Sequence, residues 1–215
     1  FMYLGSFACI GLYFFTGENI EWAIICSVLA SIGYSGGLVF YDAFLPEIAT
    51  SDKFDHVSAK GYAMGYIGSV ILLVFNILMI EMPSFFGLTD AGVASRVSFL
   101  LVGLWWIGFS QITFRRLPDN VFGRRATEAL FTKGYQELLF VWGRLKALIV
   151  MKLFLLAFFF YNMGVQTVMY LAASFGAKEL KLESSALIAT VLIIQLVAIG
   201  GAYLFAYVSI VSGNK

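Results

Sequence analysis

The sequence predicts an all-α integral membrane protein, and three observations support this: uncharged segments, their length and the composition. Five segments lack Asp, Glu, Lys and Arg over about 20 residues each, the length that a helix needs to cross the hydrocarbon of a bilayer. They are residues 22–41, 61–80, 97–114, 153–177 and 184–214. The chain is 60% hydrophobic and 13% charged, whereas a soluble domain has about 25% charged residues. The lipid bilayer is therefore its first predicted partner.

Six membrane-spanning helices are predicted once a shorter apolar segment at the start of the chain is included. Backbone polar groups in hydrocarbon need internal partners, and these segments are too long and alternate too little to be barrel strands. The predicted spans are residues 1–16, 22–41, 61–80, 96–114, 150–174 and 185–208. Because the first segment is short and has no signal-peptide layout, we expect the sequence to be an internal piece of a longer protein.

The basic residues predict the orientation. Most of the 14 lie on one side of an alternating topology, in the loop 115–152 and with Lys53, Lys60 and Lys215. That loop contributes Arg115, Arg116, Arg124, Arg125, Lys133, Arg144, Lys146 and Lys152. The opposite side holds Arg96, Lys178 and Lys181. By the positive-inside rule the first side is cytoplasmic. The net charge of +1 gives no indication of a nucleic-acid partner.

The long basic connection predicts a division into two helical groups. Residues 1–114 are assigned to an N-terminal helical half, residues 115–149 to a cytoplasmic central loop, and residues 150–215 to the start of a C-terminal half. Within the loop, apolar residues such as Leu138 and Trp142 alternate with charged ones such as Arg144. This pattern is typical of an amphipathic helix at the inner membrane interface. A regulatory or partner-binding helix is the alternative.

Polar side chains inside the spans are the candidates for a solute path, because they are costly in lipid and usually face a bundle interior. Asn162 and Gln166 are four residues apart on one helix face, next to Tyr161. Gln195 and Asn76 are further candidates. The alternative is that such amides only hydrogen-bond between helices as packing contacts. For Asn162 and Gln166 neither the path role nor the packing role is favoured. For Asn76 and Gln111 the packing role is favoured.

Three charged residues at the predicted inner mouth are candidates for a gate. Asp42 and Glu47 flank Pro46, and Lys60 begins the next span. Paired charges of this kind close one side of transporters that rock between two states. The alternative is that the two carboxylates are ordinary interfacial acids. A proton as coupling ion stays open, since no carboxylate lies deep within a predicted span.

Small residues also recur at helical spacing. Gly33, Gly36 and Gly37 form a predicted close-packing face on the second span, and Gly61, Gly65, Gly68 and Ser69 form another on the third. Such faces suit helices that rock against each other and equally suit a static bundle.

Residue patterns for catalysis are nearly absent, so no enzyme activity, metal or cofactor is predicted. His56 is the single histidine and is interpreted as a solvated loop residue. Cys9 and Cys26 are interpreted as small buried apolar groups. The sequence contains no glycine-rich phosphate loop and no Cys/His metal spacing.

Several motifs resemble a known family. Residues 41–49 (YDAFLPEIA), 57–69 (VSAKGYAMGYIGS), 158–168 (FFFYNMGVQTV) and 194–205 (IQLVAIGGAYLF) are similar to helices four, five, seven and eight of the Atg22-like vacuole effluxer branch of the major facilitator superfamily. The resemblance implies that the six spans are helices three to eight of a twelve-helix fold. It also implies that residues 115–152 form the central loop.

One motif departs from the family pattern. After the eighth helix, superfamily members often carry a turn with an acid and a base that help to lock one conformation. Residues 209–213 here read SIVSG, so both the acid and the base of this turn are missing.

The resemblance implies a secondary transporter that moves small solutes, amino acids among them, by alternating access around a site near the bilayer midplane. The alternative is a non-transporting membrane protein, either an enzyme or a scaffold, with a similar bundle. A bacterial inner membrane is the expected location, or a vacuolar membrane if the source is eukaryotic.

The predicted topology can be tested by single cysteine substitutions in intact cells. We expect a cysteine at Asp90 or Lys181 to react with an impermeant thiol reagent from outside, and one at Lys53 or Arg124 to react only after the membrane is opened. External labelling at position 124 but not at 181 would reverse the orientation.

Overall fold

The computed structural model describes residues 1–117 and 130–212, and helices dominate both ranges. The α-helices are α1 (Met2–Gly11), α2 (Ile20–Ala43), α3 (Leu45–Ile48), α4 (Phe54–Glu81), α5 (Ala91–Arg116), α6 (Leu130–Ala147), α7 (Ile149–Lys178) and α8 (Ser184–Ser212). Short 3₁₀ helices cover Leu12–Phe14, Ser51–Lys53 and Pro83–Phe86. No strand occurs in the two described ranges. The predicted all-α class is confirmed.

Five helical segments are long and apolar enough to cross a membrane. They are Ile20–Ile48, Ser51–Glu81, Ala91–Arg116, Ile149–Lys178 and Ala186–Ser212, which correspond to the second to sixth predicted spans. The first predicted span is a shorter apolar helical segment, Met2–Phe14. Large apolar side chains such as Phe109 and Phe154 are exposed on these helices, as expected for surfaces that lie against lipid.

The described residues form two compact units. One contains residues 1–117 together with α8 from residue 188 onward, and the other contains α6, α7 and the following residues to 187. The division of the sequence at residues 114 and 149 stays a prediction. Arg124 and Arg125, which were used for the orientation, lie outside the described residues.

In the first unit, α1 packs closely against both α2 and α5. A Cβ atom at Gly33 would lie 2.5 Å from the Cα of Gly5, so the two backbones touch. Gly103 of α5 lies against the backbone oxygen of Ser6, which a Cβ would approach to 2.7 Å. Small residues therefore let α1 lie between its two neighbours, and the close-packing face predicted around Gly33 is confirmed.

Side-chain hydrogen bonds add to this packing. The indole N–H of Trp22 donates to the carbonyl oxygen of Gly11 at 2.8 Å, at the end of α1. The side-chain amide of Gln111 donates to the hydroxyl of Tyr3 at 2.9 Å and joins α5 to α1. Gln111 thus has the packing role that the sequence favoured for it.

The structure corrects two predictions around α4. The loop expected up to residue 60 ends earlier, because α4 begins at Phe54 with Asp55 in its first turn, where an acid is favourable. His56 is therefore an exposed helical residue and not a loop residue. Gly65 and Gly68 have no neighbouring atom within 4 Å of an added Cβ, so the close-packing face predicted for this span is wrong at these two positions within the described residues.

A side-chain cap explains why α5 begins five residues before the predicted span. The Oδ1 atom of Asp90 accepts the backbone N–H of Val93 at 2.9 Å, which satisfies one free donor of the first turn. The Thr89 hydroxyl donates to Oδ2 at 3.0 Å. Because the Val93 N–H and then the Thr89 hydroxyl favour the charged form, the pKa of Asp90 is lowered.

In the second unit, α6 lies against the start of α7. Their side chains enclose a cavity of about 320 Å³, lined by Trp142, Leu145, Lys152, Leu155, Leu156 and Phe159. On α6 itself the guanidinium of Arg144 lies 4.5 Å from the ring centre of Phe140. The helix predicted in the central loop is therefore present, and its place at the membrane interface stays a prediction.

The contact between Gly5 and Gly33 gives a direct test of this packing. Gly33→Ala adds a Cβ that would overlap the backbone of α1, and we expect a loss of about 1–3 kcal/mol in the free energy of unfolding. Denaturant titration in detergent micelles, followed by helical circular dichroism, measures it. Gly65→Ala is the matched control: it enters open space and should leave stability unchanged or slightly raised. Equal losses in both variants would contradict the packing.

Candidate functional site

A cleft with polar side chains on both walls lies between α4 and α8 in the first unit. It has a volume of about 490 Å³. Its α4 wall consists of Asp55, Ser58, Ala59, Tyr62 and Tyr66, and its α8 wall consists of Ala198, Ala202, Phe205, Ala206 and Ser209. Each wall covers twelve residues, or about 16 Å of helix. The cleft therefore extends from the first turn of α4 past the start of the predicted span at residue 61.

The two helices are antiparallel in this cleft and are tied together at one end. The hydroxyl of Ser209 donates a hydrogen bond to Oδ2 of Asp55. Asp55 lies in the first turn of α4, whereas Ser209 lies in the last turn of α8. This bond joins residues 154 positions apart in sequence. It fixes the register that brings the two walls together.

Helical spacing explains why these residues share a face. On α4, Asp55, Tyr62 and Tyr66 recur at intervals of seven and four residues, which places them in one row. On α8, Ala198, Ala202 and Ala206 recur every four residues. A methyl side chain at each of these positions leaves space between the helices. The α8 wall thus provides room, and the α4 wall provides a carboxylate, a hydroxyl and two phenols.

Gln195 extends the polar character of this face of α8. It lies three residues before Ala198, on the same side of the helix. Its Oε1 atom is buried and has no hydrogen-bond partner among the described residues. A buried acceptor without a donor costs about 1–3 kcal/mol, so this position favours a group that can donate a hydrogen bond. Gln195 stays a predicted path residue.

Asn76 occupies a different environment. It is 8% exposed, and it shares a face of α4 with buried Met79 three residues later. The Oδ1 atom of Asn76 has no partner within the described parts of the chain. The structure does not bring it into the cleft lining.

The α7 candidates are exposed. Asn162 and Gln166 lie one turn apart on α7 as predicted, and both side chains are exposed, as is Tyr161 at 71%. None of the hydrophobic window of this helix is buried within the described residues. The structure gives these three residues no neighbours that would distinguish a path from a packing role, and their assignment stays a prediction.

The gate candidates lie near the Asp55 end of α4. Asp42 is in the last turn of α2, Glu47 is in α3 and Lys60 is in the second turn of α4, all with exposed side chains. Among the described residues, no ion pair joins Lys60 to either acid. Tyr41 links the same helices, because its ring lies 6.3 Å from that of Tyr62 and its hydroxyl contacts Gly61. The gate stays a prediction.

Sequence reasoning missed the cleft residues, although part of the signal was present. Asp55 falls in the predicted loop between the second and third spans, where a seven-residue spacing to Tyr62 has no helical meaning. Ser209 falls in the predicted turn after the last span, which lacks the usual charges. The structure shows that this serine is bonded to an acid on another helix, which no local pattern could show.

These observations define the class of protein: a multi-pass, all-α membrane protein with a polar cleft between two of its spans. A family model described as "Vacuole effluxer Atg22 like" matches residues 49–215. The match covers well over half of the chain, and the chain therefore belongs to this family. The fold is accordingly of the all-α major facilitator type, as the sequence motifs had implied.

Individual relatives agree with this assignment. The chain is 29% identical to an uncharacterized MFS-type transporter, YxiO of Bacillus subtilis, over 188 residues that cover 87% of this chain and 44% of that protein. It is 27% identical to autophagy-related protein 22-2 of Aspergillus niger, over 79% of this chain and 31% of that protein. The chain thus spans less than half the length of these relatives. No solved structure gives a significant match.

The pairing of α4 with α8 can be tested by cross-linking. In the full-length protein with Cys9 and Cys26 replaced by Ala, we expect Asp55→Cys and Ser209→Cys to be joined by a short bifunctional thiol reagent, because their side chains are in contact. Proteolysis between the two sites followed by electrophoresis detects the link. Asp52→Cys with Ser209→Cys is the matched control, since exposed Asp52 does not line the cleft. Equal linking in both pairs would argue against this register.

Proposed function

We propose that the protein containing this chain is a secondary transporter that moves small solutes across a membrane by alternating access. The family assignment supports this class, and the cleft between α4 and α8 is the observation that carries it furthest. A polar wall about 16 Å long that continues onto a membrane-spanning helix is costly unless something polar contacts it. A polar solute that passes along the wall would contact its polar side chains and so account for them.

The contacts at the Asp55 end support a change in access. A cross-helix side-chain bond from Ser209 to Asp55 closes the cleft at this end, while the rest of the α8 wall is mostly methyl groups. One such bond contributes about 0.5–3 kcal/mol. That is small enough for the two helices to separate in part of the transport cycle. The exposed charges Asp42, Glu47 and Lys60 at the same end would assist closure.

Amino acids are included among the proposed solutes, and a proton is the proposed coupling ion. The carboxylates available at this end of the bundle include Asp42, Glu47, Asp52 and Asp55. The proposed location is a bacterial inner membrane, or a vacuolar membrane if the source is eukaryotic. Uptake into liposomes with and without an imposed pH gradient tests the coupling.

The rival function is that of a membrane enzyme or scaffold with the same bundle. It predicts no saturable flux in any liposome assay of the full-length protein. A transporter predicts saturable uptake together with counterflow, in which unlabelled solute inside the vesicle accelerates entry of labelled solute. A liposome flux measurement therefore distinguishes a transporter from an enzyme or scaffold.

The amides of α7 give a further prediction for the full-length protein. We expect Asn162→Leu and Gln166→Leu to reduce or abolish uptake while membrane insertion and expression stay near normal, because a polar solute would lose its hydrogen-bond partners. Initial uptake rates and membrane protein levels are measured together.

Thr167→Leu is the matched control, because Thr167 is an exposed polar residue of α7 that lies about 100° around the helix from Gln166. It should leave uptake unchanged. Normal transport in the Asn162 and Gln166 variants would exclude the path role, and joint loss of folding and transport would favour the packing role.

A further inference from the structure

The cleft between α4 and α8 is lined by a negative charge and by no positive charge. Asp55 is the single charged side chain among the residues that line it, and no Lys, Arg or His is among them. The remaining polar groups in the lining are the hydroxyls of Ser58, Ser209, Tyr62 and Tyr66. An anion in the cleft would face a carboxylate and find no cation. A cation would find a counter-charge and the aromatic rings of Tyr62, Tyr66 and Phe205.

We propose that this cleft binds the ammonium group of a small solute, with Asp55 as its counter-charge. This inference rests on the proposed function, because it names the chemical class of the transported solute. Tyr62 and Tyr66 supply ring faces along which an ammonium group is attracted. The alanines of α8 leave the space that the solute occupies.

The existing bond to Asp55 is compatible with this role. The Ser209 hydroxyl uses Oδ2, whereas a carboxylate offers about four acceptor positions on its two oxygens. Oδ1 therefore stays available for an ammonium N–H. The Ser209 bond also orients the carboxylate, so Ser209 acts as a positioning residue for Asp55.

A purely structural role for Asp55 accounts for fewer features of the cleft than a solute-binding role does. An acid in the first turn of α4 interacts favourably with the helix dipole, and the Ser209 bond ties two helices together. Neither role requires a cleft of about 490 Å³ or a row of alanines opposite the acid. A solute with an ammonium group accounts for both the cleft and the small residues opposite the acid.

Binding can be measured without transport by thiol protection. The full-length protein, with Cys9 and Cys26 replaced by Ala, carries Ala202→Cys or, as an independent second position, Ser58→Cys. The probes are putrescine (amine only), alanine (amine and carboxylate) and propionate (carboxylate only). We expect an amine-bearing probe to slow modification by a thiol reagent at least several-fold, and propionate to have no effect. Comparing putrescine with alanine shows whether the solute is a plain amine or an amino acid.

Charge variants then test Asp55 itself. Asp55→Asn should abolish the protection, and Asp55→Glu should retain part of it, because Glu keeps the negative charge. Asp52→Asn is the matched control: this exposed acid lies in the preceding 3₁₀ turn, outside the lining, and its variant should behave as the parent. Ser209→Ala should weaken protection without removing it.

The outcomes separate this inference from the proposed function. Protection by an amine that depends on Asp55, with no flux of any probe, supports the binding site and contradicts the transporter. Saturable uptake of a probe that is unaffected by Asp55→Asn supports the transporter and overturns the site. Protection by propionate alone, or by none of the three probes at either cysteine position, also overturns the site.

Discussion

Hydrocarbon supplies no hydrogen bonds, and this constraint decides how the helices of the chain are built and how they associate. Each backbone group must be satisfied within its own helix. Between helices the apolar side chains gain little by leaving lipid, so association depends on close packing and on cross-helix hydrogen bonds. Both occur around α1, where Gly5 meets Gly33 and Gln111 donates to Tyr3. The arrangement of α1, α2 and α5 follows from these contacts.

The same constraint divides the polar side chains of the bundle into two groups. Trp22 and Gln111 have partners and hold helices together. The oxygens of Asn76 and Gln195 are buried without partners among the described residues, at a cost of about 1–3 kcal/mol each. A polar group that does not contribute to packing is the kind that a membrane protein retains for function. Gln195 fits that description best, because it lies on the same face of α8 as the cleft.

The sequence predicted the identity of the spans well and their limits less well. A stretch of about 20 uncharged residues is a strong local signal, and five such helices are present. The start of α5 was missed because it depends on the Asp90 cap, a side-chain bond that hydropathy does not describe. Glycine spacing predicted the packing face at Gly33 and failed at Gly65. Spacing shows which residues share a face, but it does not show whether a neighbouring helix lies there.

The cleft could not be predicted from local patterns for a related reason. Its two walls come from helices that a bond between Ser209 and Asp55 joins across 154 positions, and each wall alone has an ordinary interpretation. Asp55 alone is an acid at a helix start, and Ala198, Ala202 and Ala206 alone are small residues on a membrane helix. Only their juxtaposition creates a cavity with one charge.

That juxtaposition also separates two properties of the cleft. The α8 wall sets its size, because every methyl group there could be enlarged without changing the charge. The α4 wall sets its chemistry, because Asp55, Tyr62 and Tyr66 could be changed with little effect on the volume of the opposite side. A bundle built in this way can alter what it accepts by substitutions on one helix, while the packing of α1 against α2 and α5 remains as it is.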